Sequence, residues 1–321
     1  MNSLNIDSQQ ATADIVAFLR QKVEEYRSDG IALGLSGGVD SAVLATLGVR
    51  AVGASAVHSL DLYDRDSNLQ SLELARNLAE QLGIRFEARD ITALLQEQGA
   101  YTSSMVRLAR RCPGVAKRVV WATWHGYRFL AKENPFNLVL RQGEPLKGRL
   151  ARGTYDVLAC SIERSFSARH ITRRRLLEDY ATKRNLLVVG AANRTEWLIG
   201  WFVKDGVDDL PIAPLLGLYK TQVYQLARFL GVPPAIIQQT PSPDMLPGLT
   251  DEAALGFQYE MLDAVLSHLE RGPDNEAGVV RGVSPHEVKQ IRKLWQLSTW
   301  KRGTRHEYPL VPQETPRTKA Q

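Results

Sequence analysis

Cysteine is almost missing from this chain, whose 321 residues include only Cys112 and Cys160. Neither has metal-ligand spacing and the pair builds no disulfide framework, which removes the small stapled and zinc-ribbon classes. Long hydrophobic runs are missing too. No stretch approaches the ~18 apolar residues of a membrane span, and the N-terminus lacks a signal-peptide pattern. These absences point to a soluble, cytoplasmic protein in a reducing compartment, without a membrane partner. Histidine is scarce, and its 6 copies show no HExxH spacing. Cys160 has no recognisable His partner, so nucleophilic catalysis is not expected there.

What is present is ordinary for a globular protein. A hydrophobic content of 44% with 23% charged residues excludes wholesale disorder. At roughly 150 residues per domain the length allows one large domain or two small ones. We read a single domain over 1–321, with an insertion or lid at 101–167 and a flexible tail at 310–321. The charge is uneven. Residues 101–185 carry 18 Lys/Arg against 6 Asp/Glu, a net of +12, so with +5 overall the remainder carries −7. A basic middle on an acidic frame suits an anionic ligand such as a nucleotide, pyrophosphate or RNA, and equally a solvated basic insertion.

Hydrophobic periodicity organises the rest. Residues 11–26 have helical spacing, 31–35 read as a buried strand, and 42–52 as a helix. A second strand at 54–60, a helix at 69–82 closed by Gly83 and a third strand at 84–88 follow. The alternation fades over 101–167, with a helix expected near 115–130, and a strand returns at 186–190. Further helices are expected at 219–230, 259–269 and 285–297, the last with Ser284 as N-cap and Pro285 in its first turn. Repeated strand–helix units with right-handed crossovers predict an α/β fold, a doubly wound parallel sheet flanked by helices. Its ligand belongs beyond the carboxyl ends of the strands.

That location coincides with the sharpest motif, Gly34-Leu35-Ser36-Gly37-Gly38-Val39-Asp40-Ser41, between a strand and a helix. The glycines permit positive φ and close approach of backbone N–H groups to an anion, and the helix N-terminus adds its dipole. Ser36 and Ser41 can donate hydroxyl hydrogen bonds. Asp40 can meet phosphate only through a cation, which implies Mg²⁺. No Gly-Lys-Ser/Thr follows, so this is not the common P-loop. The alternative is a Gly-rich turn with a capping Ser or Asp.

The SGGVDS turn resembles the pyrophosphate-binding loop of the N-type ATP pyrophosphatases, whose fold is adenine nucleotide alpha hydrolase-like. Three later segments resemble ammonia-dependent NAD synthetases: LVVGAANRTE at 187–196, PLLGLYKTQVYQLARFL at 214–230 and PSPDMLPGLTDEAALGFQY at 241–259. The closing Ser298-Thr299-Trp300-Lys301-Arg302 is similar to that family's basic tail motif. The resemblance covers roughly 11–88 and 186–302 and leaves the middle uncovered.

The resemblance implies a ligase that uses ATP to adenylate the nicotinate carboxylate of deamido-NAD, releasing pyrophosphate. Ammonia then attacks the acyl adenylate to give the amide and AMP. It assigns the ATP contacts to the 34–41 turn, Lys220 and Ser242, the Mg²⁺ ligands to Asp40 and Glu196, and catalysis to Asp40 and Lys220. Substrate contacts fall to Lys204, Lys301, Asp209 (with Asp208 second) and Arg169 or Arg173. A homodimer is implied, with ammonia taken free or from a separate glutaminase. Departures gather on the acid side: Ala191 where the family has Thr, slippage over 205–211, and Trp300 where it has His. They leave open another carboxylic acid as substrate. An RNA-modifying pyrophosphatase is the competing class, argued against by the second half of the chain.

Overall fold

The computed structural model describes residues 4–102, 136–141, 160–242, 250–271, 280, 282–303 and 305–311, with isolated positions between 107 and 129. The expected helix near 115–130, most of the expected insertion and most of the tail lie outside the described residues.

The chain opens with α1 (Ser8–Glu25), capped by Asp7, and enters β1 (Gly30–Gly34). There follow α2 (Val39–Val52), β2 (Val57–Asp61), α3 (Leu69–Leu82), β3 (Arg85–Ala88) and α4 (Thr92–Glu97). After α5 (Phe136–Leu140) and α6 (Cys160–Thr182) comes β4 (Leu186–Val189). The remainder is helical: α7 (Arg194–Ile199), α8 (Lys220–Leu230), α9 (Pro234–Ile237), α10 (Asp251–Leu255), α11 (Tyr259–Glu270) and α12 (Pro285–Leu297).

The strands form a four-stranded sheet in the order β3-β2-β1-β4. Every pairing is parallel, with Ile31 opposite Val57 and Leu187 in β1's two neighbours. Alternation of side chains along β1 explains why Gly30 through Leu33 are all buried. Ile31 and Leu33 enter the core made with α1, α2 and α8, while Ala32 faces Leu60, Leu177 and Tyr180 beneath α6. Helices thus cover both faces, as a doubly wound sheet requires. Full burial of such a Leu or Ile contributes about 1.5–3 kcal/mol.

Because β2 and β4 flank β1 on opposite sides, the chain reverses its direction of travel at the β1/β4 boundary. A crevice opens there above the carboxyl ends of the strands. Backbone beyond β4 lengthens this edge: Gly190 donates to the Ile212 carbonyl at 2.8 Å, and Ile212 bridges Glu307 in parallel. A second core gathers α5, α7, α11 and α12 around Leu198, Leu262, Leu266, Ile291 and Leu294. Ser284 is the N-cap of α12, as expected, and with Glu287 it closes a capping box.

The long α6 differs from expectation. It spans 23 residues and begins at Cys160, inside the stretch read as insertion. Its buried positions include Ser165, Arg169 and Thr172 as well as Leu177 and Tyr180. A helix that buries polar groups has no continuous apolar stripe, so periodicity does not reveal it.

Candidate active site

The turn after β1 is shaped by backbone requirements. Gly37 has φ +78, and a Cβ there would stand 2.1 Å from the Ser71 carbonyl oxygen, so only glycine fits. The turn is braced internally: Ser41 Oγ donates to the Gly38 carbonyl at 3.0 Å and accepts from the Ser36 amide at 3.3 Å. Gly38 is the N-cap of α2 and brings no capping side chain. The first-turn amides and the helix dipole therefore face the crevice.

Asp40, in that first turn, anchors a charged constellation. Its Oδ1 accepts from Asn193 Nδ2 at 3.0 Å and its Oδ2 lies 2.5 Å from Lys220 Nζ. Lys220 opens α8, is 3% exposed, and also reaches Glu196 Oε1 at 3.0 Å. Tyr259 joins the group by donating to Asp251 Oδ2 at 2.8 Å, with its ring centroid 5.2 Å from the ammonium. Burial opposes the Lys220 charge, but Asp40, Glu196 and Asp251 outweigh it and hold the ammonium well above its ordinary value. Burial, aided by the Asp40 and Asp251 charges, raises the Glu196 carboxyl against the pull of Lys220. A single ammonium among three acidic side chains suits a region that must take up further positive charge with a polyanionic ligand.

Local folding sets these positions. Asn193 caps α7 by accepting from the Glu196 amide at 3.1 Å while its amide nitrogen holds Asp40. Thr195 Oγ1 accepts from the Lys220 amide at 2.8 Å and donates to the buried Asp263 at 2.5 Å. Asp263 in turn caps the Thr221 amide at 2.8 Å. Asn193, Asp251, Tyr259 and Asp263 were not singled out from sequence. For Asn193, Asp251 and Tyr259 the only sequence signal was membership of the segments at 187–196 and 241–259, and Asp263 lies outside both.

A cavity of 1030 Å³ joins this constellation to a second group of charges. The second group holds Lys204, Asp208, Arg173, Lys301 and Trp300. Lys301 Nζ donates to the Gly200 and Phe202 carbonyls at 2.9 and 2.6 Å, and burial pushes its pKa down to about 8. Trp300 Nε1 donates to the Leu140 carbonyl at 2.7 Å, and the Lys204 and Lys301 ammoniums each lie 5.9 Å from its ring centroid. Asp208 Oδ2 is 2.5 Å from His170 Nδ1. Burial opposes the Asp208 charge, but His170, Arg173 and Lys301 outweigh it and hold its carboxyl below the ordinary range.

Most residues expected at the site line this cavity: Gly34, Leu35, Ser36, Gly38, Val39, Asp40 and Ser41 of the turn, then Glu196, Lys204, Lys220, Ser242 and Lys301. Gly37 shapes the turn from behind. Two residues expected at the site lie off the cavity. Arg169 is 1% exposed, donates to Asp66 at 2.6 Å, and stacks 4.9 Å above the Tyr101 ring, so it holds the fold and does not face the cavity. Arg173, one turn later, lines the cavity, tethered to the Leu62 carbonyl at 2.8 Å and to Asp64 at 3.1 Å. Asp209 is fully buried, with Oδ1 2.9 Å from His306 Nε2, whereas its neighbour Asp208 lines the cavity. A one-residue shift in a slipped segment exchanges the two carboxylates.

A model of the NAD synthase family matches residues 11–110 and 162–305. This chain belongs to the NAD synthase family. Relatives bear the same name: it is 36% identical to the NH(3)-dependent NAD(+) synthetase of Thermotoga maritima, over 88% of this chain and 94% of the relative. With the NH(3)-dependent NAD(+) synthetase of Rhizobium meliloti it shares 32% identity over 97% of this chain and 93% of the relative. The fold is shared with an NMN synthetase structure from Francisella tularensis, at TM-score 0.66 and 24% identity over 93% of this chain and 97% of that one. The NH3-dependent NAD synthetase structure from Campylobacter jejuni matches at TM-score 0.60 and 24% identity over 92% and 96%. The NAD synthase model leaves out 111–161, the middle that the sequence motifs also left uncovered. Among the described residues, no helix is long and apolar enough to cross a membrane.

Proposed function

We propose that this NAD synthase family member catalyses the ATP-dependent amidation of deamido-NAD, with ammonia as nitrogen donor. The carrying observation is the juxtaposition, in one cavity, of an amide-lined turn with Asp40, Glu196 and Lys220 on one side and a cationic group on the other. In the first step an oxygen of the nicotinate carboxylate attacks the α-phosphorus of ATP, and the bond to pyrophosphate breaks. Ammonia then adds to the acyl carbon, loses a proton, and expels AMP.

A carboxylate is a poor nucleophile and both reactants are anions, so repulsion and the charge gathering on pyrophosphate dominate the barrier. The turn amides and the α2 N-terminus bind the phosphates, and Lys220 adds the fixed cation that SGGVDS lacks. Lys204, Lys301 and Arg173 bind the anionic dinucleotide acid, and Asp208 accepts hydrogen bonds from its hydroxyls. Ser242 reaches the nucleotide.

Asp40 and Glu196 are hard oxygen donors facing the cavity. Among the described residues there is no ready cage of three or more metal-binding side chains. That donor set fits Mg²⁺, which takes one or two carboxylates together with substrate phosphates and water. Held by Asp40 and Glu196, Mg²⁺ would supply charge neutralisation at the departing pyrophosphate. We further infer that the chain acts as a homodimer, which light scattering at twice 35.8 kDa would register.

The test is a mass-resolved assay with ATP, Mg²⁺, ammonium and deamido-NAD. The expected products are AMP, pyrophosphate and NAD⁺, with glutamine failing to replace ammonium. ADP in place of AMP would overturn the chemistry. Ala191, the altered 205–211 segment and Trp300 favour one second reading, in which the same chemistry serves a different carboxylic acid. AMP released only with another acid would establish it.

A further inference from the structure

The turn that presents Lys204 and Asp208 to the cavity closes on itself, with the Gly206 amide donating to the Val203 carbonyl and the Asp209 amide to the Gly206 carbonyl, each at 3.0 Å, and it is also tied to two distant segments. Asp205 sits at φ +61, a left-handed conformation that Asp adopts more readily than most non-glycine residues and that its neighbours hold in place. One side of the turn is held by α6: the Val207 amide donates to the His170 carbonyl at 3.1 Å and Arg174 Nη1 donates to the Asp209 carbonyl at 3.0 Å. The other side is held through a single buried carboxylate. Asp209 Oδ2 accepts from the Asp205 amide at 2.8 Å, while Oδ1 lies 2.9 Å from His306 Nε2, 97 positions further along the chain.

His306 is itself fixed. Its neighbour Glu307 donates its amide to the Pro211 carbonyl at 2.8 Å and accepts from the Ala213 amide at 3.0 Å. The Glu307 side chain pairs with Lys22 of α1. A short segment near the carboxyl end is thereby stitched between the sheet edge and the turn, with both side chains of the pair nearly inaccessible (2% for His306 and 0% for Asp209).

We propose that Asp209 and His306 form a positioning pair that sets the 204–209 turn, so that Lys204 and Asp208 face the acid substrate while neither member of the pair touches it. The inference rests on the reading above, in which this part of the cavity receives deamido-NAD. Asp209 is thus moved from a contact to a support, and His306, outside every motif, becomes a determinant of substrate affinity. The pair acts on the acid side of the cavity, so ATP recognition is expected to be independent of it.

The test uses the full chain and its His306→Ala and His306→Gln variants. In His306→Ala the KM for deamido-NAD is expected to rise about tenfold or more, with kcat and the KM for ATP within about twofold. His306→Gln, which restores an N–H donor, is expected to recover most of the loss. Hydrogen exchange supplies a reading independent of turnover: the Asp205 and Val207 amides should exchange faster in His306→Ala, with the α2 amide of Ala42 unchanged as a control for global folding. Unaltered exchange at 205 and 207 would overturn the pair as a support. Faster exchange with an unchanged KM for deamido-NAD would overturn its functional role, as would equal rises in both KM values. A wild type that makes no NAD⁺ would count against the proposed function alone, and the exchange result would then decide the support.

Discussion

The two halves of the cavity are built in opposite ways. The phosphate side is assembled by one contiguous turn, residues 34–41, reinforced by side chains that open α7 and α8. The acid side is assembled from segments far apart in the chain: α6, the 204–209 turn, and Trp300, Lys301 and His306 near the carboxyl end. The difference follows from what each must bind. Phosphates are met by backbone amides at a strand–helix turn, a solution that local geometry supplies. A dinucleotide acid has no comparable local cradle, so its contacts depend on tertiary packing.

Mutations on the phosphate side should give the largest losses. Asp40→Asn is expected to lower kcat by about 10³-fold while the folding transition stays close to wild type. Near-normal turnover would remove Asp40 from the mechanism. Lys220→Met should follow closely, with about 10²–10³-fold lower kcat/KM. It also leaves Asp40 and Glu196 without their shared ammonium, so a variant retaining ATP turnover would place the phosphate cation elsewhere.

The acid side separates two arginines one helical turn apart. Arg169→Ala removes the close partner of Asp66 and one of the two arginines paired with the buried Asp64, and should cost about 3 kcal/mol of stability by denaturant titration. Arg173→Ala should act mainly through the KM for deamido-NAD, raising it about tenfold. A reversed pattern would move the substrate contact back to Arg169.

The smallest effect concerns pH. Burial holds Lys301 down to about 8 from the usual 10.5. Affinity for the acid should therefore weaken as pH rises through about 8 and the ammonium is lost, with ATP affinity unaffected. Lys301→Arg should abolish the step, as calorimetry on either side of that pH would register. The stability sign is opposite. The folded chain holds this proton less tightly than the unfolded one, so the Lys301 contribution is unfavourable below about 8 and stability rises from there toward 10.5.

Most of the sheet could be read from residues alone, because β1 and β4 are short apolar runs closed by turn residues. The helix α6 could not, since its inward face carries Arg169, Ser165 and Thr172. Within the site, Asp40, Glu196 and Lys220 stood in recognisable motifs. Asp251 and Tyr259 lay inside a quoted segment, yet nothing in their spacing marked them as partners. The choices between Arg169 and Arg173, and between Asp209 and Asp208, turn on which side of one helix turn or one peptide bond faces the cavity.

Primary structure alone determined the strand–turn–helix proposed to bind pyrophosphate, because glycine conformations, amide direction and the helix dipole are properties of a few adjacent residues. It determined family membership for the same reason, through contiguous motifs. Only the tertiary structure decided which carboxylate and which guanidinium line the cavity, and that His306 meets Asp209 from the far end of the chain. Those assignments depend on burial and on pairings between distant segments, and neither is encoded in local spacing.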